Sequence, residues 1–416
     1  MLDRLRKLYH EFPSLFWIVV GVRFVDGIGS TLLFPFFALY ITQKFHVGMT
    51  EAGILLGISS FSGLIGSMAG GALTDRFGRK QLILFGLVFS AVSTLSIGLV
   101  THISLMFPLS VFIGLLSSVA HPAHDAMIAD ILPEQKRQEG FGILRVVGNF
   151  SWIIGPTIGG FVANINFFYL FVIDSVISCL VALLIFRLLP ETRPERHAHE
   201  ETETVLQSFG GYGRVLRDGA FMAFMLAGIL MLIVYQQMYG TLSVFLRDFH
   251  QIDPQRYGVL MSTSAVTVVL FQFTVSRLIK RRPAFLMMAL GTLFYMVGFA
   301  LFGVFTTFLL FALNIVIITI GEMIVVPTSQ SLAAGFAPEE MRGRYMAVFG
   351  LSWAIPSTIG PGLAGYILDN FNPNLLWFIG GVLCAVSAFG YYLLHVRLGA
   401  QERFVPRPEE ALSAAD

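Results

Sequence analysis

Residues 71–80 read Gly71-Ala72-Leu73-Thr74-Asp75-Arg76-Phe77-Gly78-Arg79-Lys80 and separate two long apolar runs, 50–73 and 81–100. Each run is close to the ~20 residues an α-helix needs to cross a hydrocarbon core at ~1.5 Å per residue. The stretch between them is too short for a further element and too charged for lipid. Gly71 allows close helix approach and Gly78 a tight turn. Asp75 accepts hydrogen bonds from arginines or from a facing helix N-terminus, and Arg76, Arg79 and Lys80 hold the loop at a membrane surface. The segment therefore reads as a helical hairpin through a membrane, closed by a structured polar loop.

The rest of the chain repeats this alternation. Only 13% of the 416 residues are charged, 55% are hydrophobic and the mean hydropathy is +0.75. A soluble chain is about a quarter charged, so a soluble enzyme is excluded. The net charge of +1 gives no electrostatic case for nucleic-acid binding. With 40 Phe, 16 Met and 12 Tyr the chain is no disordered polymer. Twelve spans are predicted, near 14–41, 50–73, 81–100, 104–132, 138–163, 168–189, 219–247, 254–278, 285–304, 307–334, 343–369 and 373–397. Membrane strands would alternate apolar with polar over ~10 residues, which these continuous runs do not. The first run is too long for a signal h-region and no small-residue cleavage site follows it, so it reads as a retained helix.

With the N-terminus inside, inner segments hold 22 of the 27 basic residues and outer loops three, Lys44, Arg247 and Arg256. The positive-inside rule then puts both termini in the cytoplasm of a multi-pass protein of the plasma (inner) membrane. Arg23 and Arg145 fall inside spans. The charged stretch 190–218 reads as a linker between a six-helix half, 1–189, and a second, 219–397, with a tail at 398–416. At an offset of 205 residues, Pro133-Glu134 falls on Pro338-Glu339, Gly155-Pro156 on Gly360-Pro361, and Pro122 on Pro327. Six helices per half make this a parallel repeat. Cys179 and Cys384 lie within spans, where a disulfide or a cysteine-only metal site is not expected.

The 71–80 stretch resembles the GxLxDRxGRK signature of the major facilitator superfamily. The resemblance implies an all-α integral membrane fold of twelve transmembrane helices in two six-helix pseudo-symmetric halves. It also implies a latch formed by Gly71, Asp75, Arg76, Gly78 and Arg79. The second-half counterpart, Ser276 to Pro283, keeps the charges without the Asp and Gly. In the fifth span, Gly142, Ser151 and Gly155-Pro156-Thr157-Ile158-Gly159-Gly160 resemble the G-x8-G-x3-GPxxGG motif of the drug:proton antiporters, with Ser151 in place of the second Gly. Gly155, Pro156, Gly159 and Gly160 form the expected hinge seam, since small residues pack backbones closely and Pro removes a hydrogen bond. That branch usually carries a fourth-span Arg, whereas Leu109 to Gly114 holds no charge. Arg145 or Arg23 is the available substitute.

A charge at the bilayer centre costs at least ~2.5–3.5 kcal/mol, so intramembrane ionisable groups are functional candidates. Asp26 lies ~18 Å into the first span, with Arg23 one turn earlier at ion-pair spacing. Glu322 lies ~23 Å along the tenth span, in Gly321-Glu322-Met323-Ile324-Val325-Val326-Pro327, with no basic residue within two turns. Asp26, Glu322, Arg23 and Arg145 are the candidates for proton coupling and charge recognition. Asp174 in the sixth span is expected near an outer surface or in a polar contact. His121, His124 and Asp125 share a face but supply too few ligands for a metal, so they read as polar residues at the inner mouth of a cavity. Tyr235, Gln236, Gln237, Tyr239 and Gln272 interrupt apolar runs and are the candidate substrate-cavity residues.

No GxxxxGK[ST], GxSxG or HExxH pattern occurs, so neither ATP nor hydrolytic chemistry is expected. The reading is a secondary transporter, not an enzyme. It exports lipophilic, cationic small molecules by alternating access, driven by the proton gradient with no cofactor or metal. Its partners are the lipid bilayer, its substrates and protons, with no nucleic acid, and it acts as a monomer. An exporter of sugars or lysolipids, a proton-driven importer, and a non-transporting sensor or scaffold are the rival readings.

Overall fold

The computed structural model describes residues 9–192, 212–399 and 401, without the side chains of Asp75 and Glu339. Most of the expected linker, the tail beyond 401, and Arg4, Arg6 and Lys7 lie outside the described residues. The helices are α1 Ser14–Leu33, α2 Phe37–Phe45, α3 Met49–Phe77, α4 Arg79–Leu99, α5 Ile103–Ser118, α6 His121–Ile131, α7 Glu134–Ile165, α8 Phe167–Leu188, α9 Gly219–Tyr235, α10 Thr241–His250, α11 Pro254–Ile279, α12 Ala284–Phe302, α13 Phe308–Phe336, α14 Arg342–Asn370 and α15 Pro373–Leu398. No strand occurs among the described residues. All backbone groups of an apolar run must pair within the run in lipid, which leaves the helix as the solution.

Every predicted span is helical. Eleven are long and apolar enough to cross a membrane by length and composition. The other is α14, as long at 29 residues but opening on Arg342-Gly343-Arg344 and holding two internal prolines, Pro356 and Pro361. Three spans are broken rather than continuous. The first turns through a 3₁₀ segment, Phe34–Phe36, around Pro35. The fourth breaks at Val119-Ala120, just before Pro122 in the first turn of α6. The seventh breaks at a 3₁₀ segment, Gln236–Tyr239, followed by Gly240.

The 205-residue repeat recurs in the helix boundaries. Met49 and Pro254 open α3 and α11, Arg79 and Ala284 open α4 and α12, and Ile103–Ile131 corresponds to Phe308–Phe336. His46 and Gln251, again 205 apart, are the two described non-glycine residues in the left-handed region, at φ 53° and 55°. Each ends the second piece of a broken span, α2 or α10.

The described chain divides into two compact units, residues 9–192 with 239–265, and residues 212–238 with 266–399. In the first, Phe16 and Val19 of α1, Leu82 and Ile83 of α4, and Val181 and Ile185 of α8 form a buried cluster. Helix α4 is capped by opposite charges from elsewhere in the chain. Glu191 accepts from its first amides, while Lys44 Nζ donates to Gly98 O at 2.7 Å and to Tyr40 Oη at 2.8 Å. The Tyr40 hydroxyl in turn donates to Ile97 O at 2.6 Å. Both charges complement the helix macrodipole. In the second unit, Trp377 of α15 stacks on Phe299 of α12 and contacts Phe302. Outward faces carry large apolar side chains, Met68 at 75% exposure and Leu309 at 78% among them, as lipid contact requires.

Candidate functional site

In the first unit, small residues bring α7 against α1 and α11. A Cβ on Gly155 would strike Thr31 Oγ1, and one on Gly159 would lie 2.8 Å from Phe36 Cε2. A Cβ on Gly160 would lie 2.6 Å from Pro254 O, and Gly258 abuts the Pro156 carbonyl. Thr157 and Ser262 share a hydroxyl contact of 2.7 Å, and Ser262 Oγ donates to Ile153 O at 2.8 Å. Ser151 has a physical reason to replace glycine. Its Oγ donates to Phe24 O (3.2 Å) over the bare face of Gly27, while Thr31 Oγ1 donates to Ser151 O (3.0 Å). The opposite face of α7 is open: Arg145 is exposed, and Gly142 and Gly148 have nothing within 4 Å of an added Cβ.

Arg23 and Asp26 are both half-buried on α1. The spacing allows an ion pair and no salt bridge joins them; Arg23 acts on Asp26 through space, and also on His121 and His124 at the start of α6. Asp174 is 7% exposed and packs inward in a polar contact. Thr94 of α4 is its hydrogen-bonding partner, and its Oδ1 occupies the space beside Gly29 of α1, 2.8 Å from where a Cβ would be. Among the described residues no three His, Cys, Asp or Glu side chains are grouped to hold a metal ion.

The loop between α3 and α4 is held from several sides. Gly78 adopts φ 95°, ψ 161°, a backbone that side-chain-bearing residues avoid. Arg79 Nε pairs with Asp130 Oδ2 at 3.0 Å, and Lys80 Nζ donates to Phe186 O at 2.9 Å. Arg76 is exposed, with its guanidinium 5.5 Å from the Phe77 ring centre. Close approach falls to different glycines than expected. A Cβ on Gly71 meets nothing within 4 Å, whereas Gly66 and Gly70 press on the Leu115 and Val119 carbonyls and Gly114 on the Ser59 carbonyl. One residue, about 100° around the helix, separates Gly71 from Gly70 on the packed face. The Asp75 side chain lies outside the described residues.

In the second unit, Glu322 is half-buried on α13 with its Oε2 shut from solvent. The preceding Gly321 presses on Tyr295 and on Gly291 O, and Gln272 Nε2 donates to the O of the following Met323 at 3.2 Å. Gln272 and Glu322 are thus brought together. Tyr235 stacks on Tyr295 at 5.4 Å and meets Trp353 edge-on at 6.2 Å. A narrow crevice beside them is lined by Met231, Tyr295, Val325, Val326, Ser352 and Trp353. Gln237 is buried and donates to Ile233 O at 2.6 Å, and Gln236 is half-buried in the same 3₁₀ turn. Tyr239 belongs instead to the first unit, where it packs on Trp152 at 5.1 Å and Phe34 at 6.2 Å.

Sequence reasoning missed Asp130, Glu191, Thr94, Trp152, Tyr295 and Trp353. Glu191 sits in the charged stretch read as a linker, Asp130 at the very end of the fourth predicted span, and the aromatics are hidden among 40 Phe. Only a Trp count of four marked Trp152 and Trp353 as uncommon.

Comparison with known proteins places this geometry. The chain is 28% identical over 395 residues to the Na(+), Li(+), K(+)/H(+) antiporter of Planococcus maritimus, covering 88% of this chain and 92% of that protein. It is 26% identical over 311 residues to Multidrug resistance protein 2 of Bacillus subtilis, covering 73% and 78%. Among solved structures, the nucleoside transporter NupG superposes with a TM-score of 0.79 at 14% identity, covering 92% of this chain and 100% of that one. A POT family transporter gives 0.79 at 16% identity, covering 94% and 97%. These two likenesses speak to the fold alone. The sequence matches the Major Facilitator Superfamily over residues 19–361 and again over 238–416. With its repeated helices, glycine-packed hairpin and acids held within apolar spans, the chain is a multi-pass membrane protein that belongs to the Major Facilitator Superfamily of transporters.

Proposed function

We propose that the protein is a proton-coupled antiporter that exports lipophilic organic cations by alternating access. The observation that carries this is the pair of acids within apolar spans, Asp26 on α1 and Glu322 on α13. A carboxylate in a low-dielectric setting needs a compensating positive charge. A proton supplies one and a substrate cation another, and each excludes the other. Competition of that kind couples two fluxes without a further energy source. The aromatic surfaces of Tyr235, Tyr295 and Trp353 in one unit, and of Phe34, Trp152 and Tyr239 in the other, suit the faces of organic cations. The name of the Bacillus subtilis relative supports the same reading.

In this reading Gly71, Asp75, Arg76, Gly78 and Arg79 act as the conformational latch, and Gly155, Pro156, Gly159 and Gly160 as the seam on which helices rock. Tyr235, Gln236, Gln237, Tyr239 and Gln272 face the substrate, and Arg23 and Arg145 tune the acids. The working unit is one chain in the plasma (inner) membrane, both termini cytoplasmic, and the proton gradient takes the place of a cofactor. The excess of basic residues on one side of the spans supports that orientation.

Inverted vesicles with an imposed pH gradient test the proposal. Wild type is expected to accumulate a cationic dye, and Glu322→Gln and Asp26→Asn to lose about tenfold or more in initial rate, since a neutral amide removes the charge for which proton and substrate compete. Uptake indifferent to the gradient and to both substitutions would overturn it. The Planococcus maritimus relative favours a second reading, in which alkali cations are exchanged for protons. Sodium-driven proton release without dye transport would select it.

A further inference from the structure

We propose that Glu191 is a positioning residue of the Gly71–Lys80 loop: its carboxylate caps the N-terminus of α4 and seats in the space left by Gly78. Glu191 Oε1 accepts from the Arg79 amide at 2.8 Å and Oε2 from the Lys80 amide at 3.1 Å. These are first-turn N–H groups, which a helix cannot satisfy internally and which carry the positive end of its dipole. The residue at the N-cap position is Gly78, which has no side chain to do this. A Cβ there would lie 2.6 Å from Glu191 Oε2 and 2.8 Å from Cδ. Gly78 therefore serves twice, adopting φ 95° and leaving room for a carboxylate from 113 residues further along the chain.

The next residue extends the clasp. Thr192 Oγ1 donates to Asp130 Oδ2 at 3.3 Å, the same oxygen that pairs with Arg79 Nε at 3.0 Å. Residues 191–192, the first acid of the segment between the two repeats and its neighbour, thus touch both the α3–α4 turn and the end of α6. The second repeat lacks the device: Pro283 stands 205 residues on from Gly78, and Val396 from Glu191. A pull on the connecting segment would draw the cap away from α4 and loosen the turn that holds Arg79 and Lys80.

The test uses the full-length protein in lipid vesicles, with Glu191→Ala, Glu191→Gln and Glu191→Asp. Hydrogen exchange of the peptide covering Arg79 to Leu82 reads the cap directly. Glu191→Ala is expected to speed its exchange about tenfold, Glu191→Gln to fall between, and Glu191→Asp to restore most protection. The maximal rate of gradient-driven dye transport is expected to fall about fivefold in Glu191→Ala with KM unchanged, and Glu191→Asp to recover it. Should Glu191→Ala fail to fold, the Gln and Asp variants decide. Wild-type exchange and rate in Glu191→Gln would overturn the proposal, as would a lowered melting temperature and rate that Glu191→Asp does not rescue. The kinetic arm rests on the transport reading above. If wild type moves no dye, that reading fails while the exchange measurement still decides the role of Glu191.

Discussion

Ser151 illustrates what single residues contribute. Its hydroxyl binds the Phe24 carbonyl across the flat face of Gly27, so the position needs a side chain of this size with a donor. Ser151→Ala is expected to cost about 1 kcal/mol, the net worth of a hydrogen bond, and Ser151→Leu about 2–3 kcal/mol through overpacking; thermal unfolding in detergent checks both. Gly78→Ala is expected to cost about 1–3 kcal/mol for its backbone alone. Asp26 and Glu322 were legible in the sequence because a lone acid stands out in an apolar run. Glu191 and Asp130 were not, because their partners are 112 and 51 residues away and nothing local marks the pairing. The Arg23–Asp26 ion pair that the spacing allows does not form, for a related reason. Helical spacing puts two side chains on one face, and the neighbours decide whether they close; Arg23 also stands near His121 and His124.

Among the elements, the α3–α4 hairpin shows how far a motif can be read. Its turn falls at Gly78 as expected, and its helices end at Phe77 and begin again at Arg79. The packed face is displaced, because close approach depends on which helical stripe meets α5, and that stripe holds Gly66 and Gly70 rather than Gly71. Gly66→Val or Gly70→Val should therefore abolish folded protein, since a branched side chain would overlap a backbone carbonyl. Gly71→Val should yield near-normal amounts by fluorescence size-exclusion chromatography. Helix starts and ends were legible to within a few residues throughout. The breaks at Phe34–Phe36 and Gln236–Tyr239 were not, because apolar content does not register a change of hydrogen-bonding pattern and the second break contains no proline. The left-handed residues His46 and Gln251 show that the ends of these two spans belong to the repeat and not to one copy of it.

Across the whole molecule the charges divide by position. Most basic residues flank spans, and the few charges left within spans carry the functional reading. The orientation predicts that, in a cysteine-free background, a cysteine at Arg256 reacts with a membrane-impermeant maleimide added outside intact cells, and one at Arg137 only after lysis; the reverse pattern would invert the topology. The proposed exchange of protons for organic cations is tested by cation entry against proton exit in vesicles. Purified protein in vesicles loaded with a pH-sensitive dye is given a lipophilic cation outside, with no gradient imposed. Wild type should alkalinise the lumen, as protons leave in exchange for the entering cation, and Asp26→Asn or Glu322→Gln should abolish the signal while the protein remains folded. Entry of the cation with no proton movement, or an undiminished signal in both variants, would contradict that exchange.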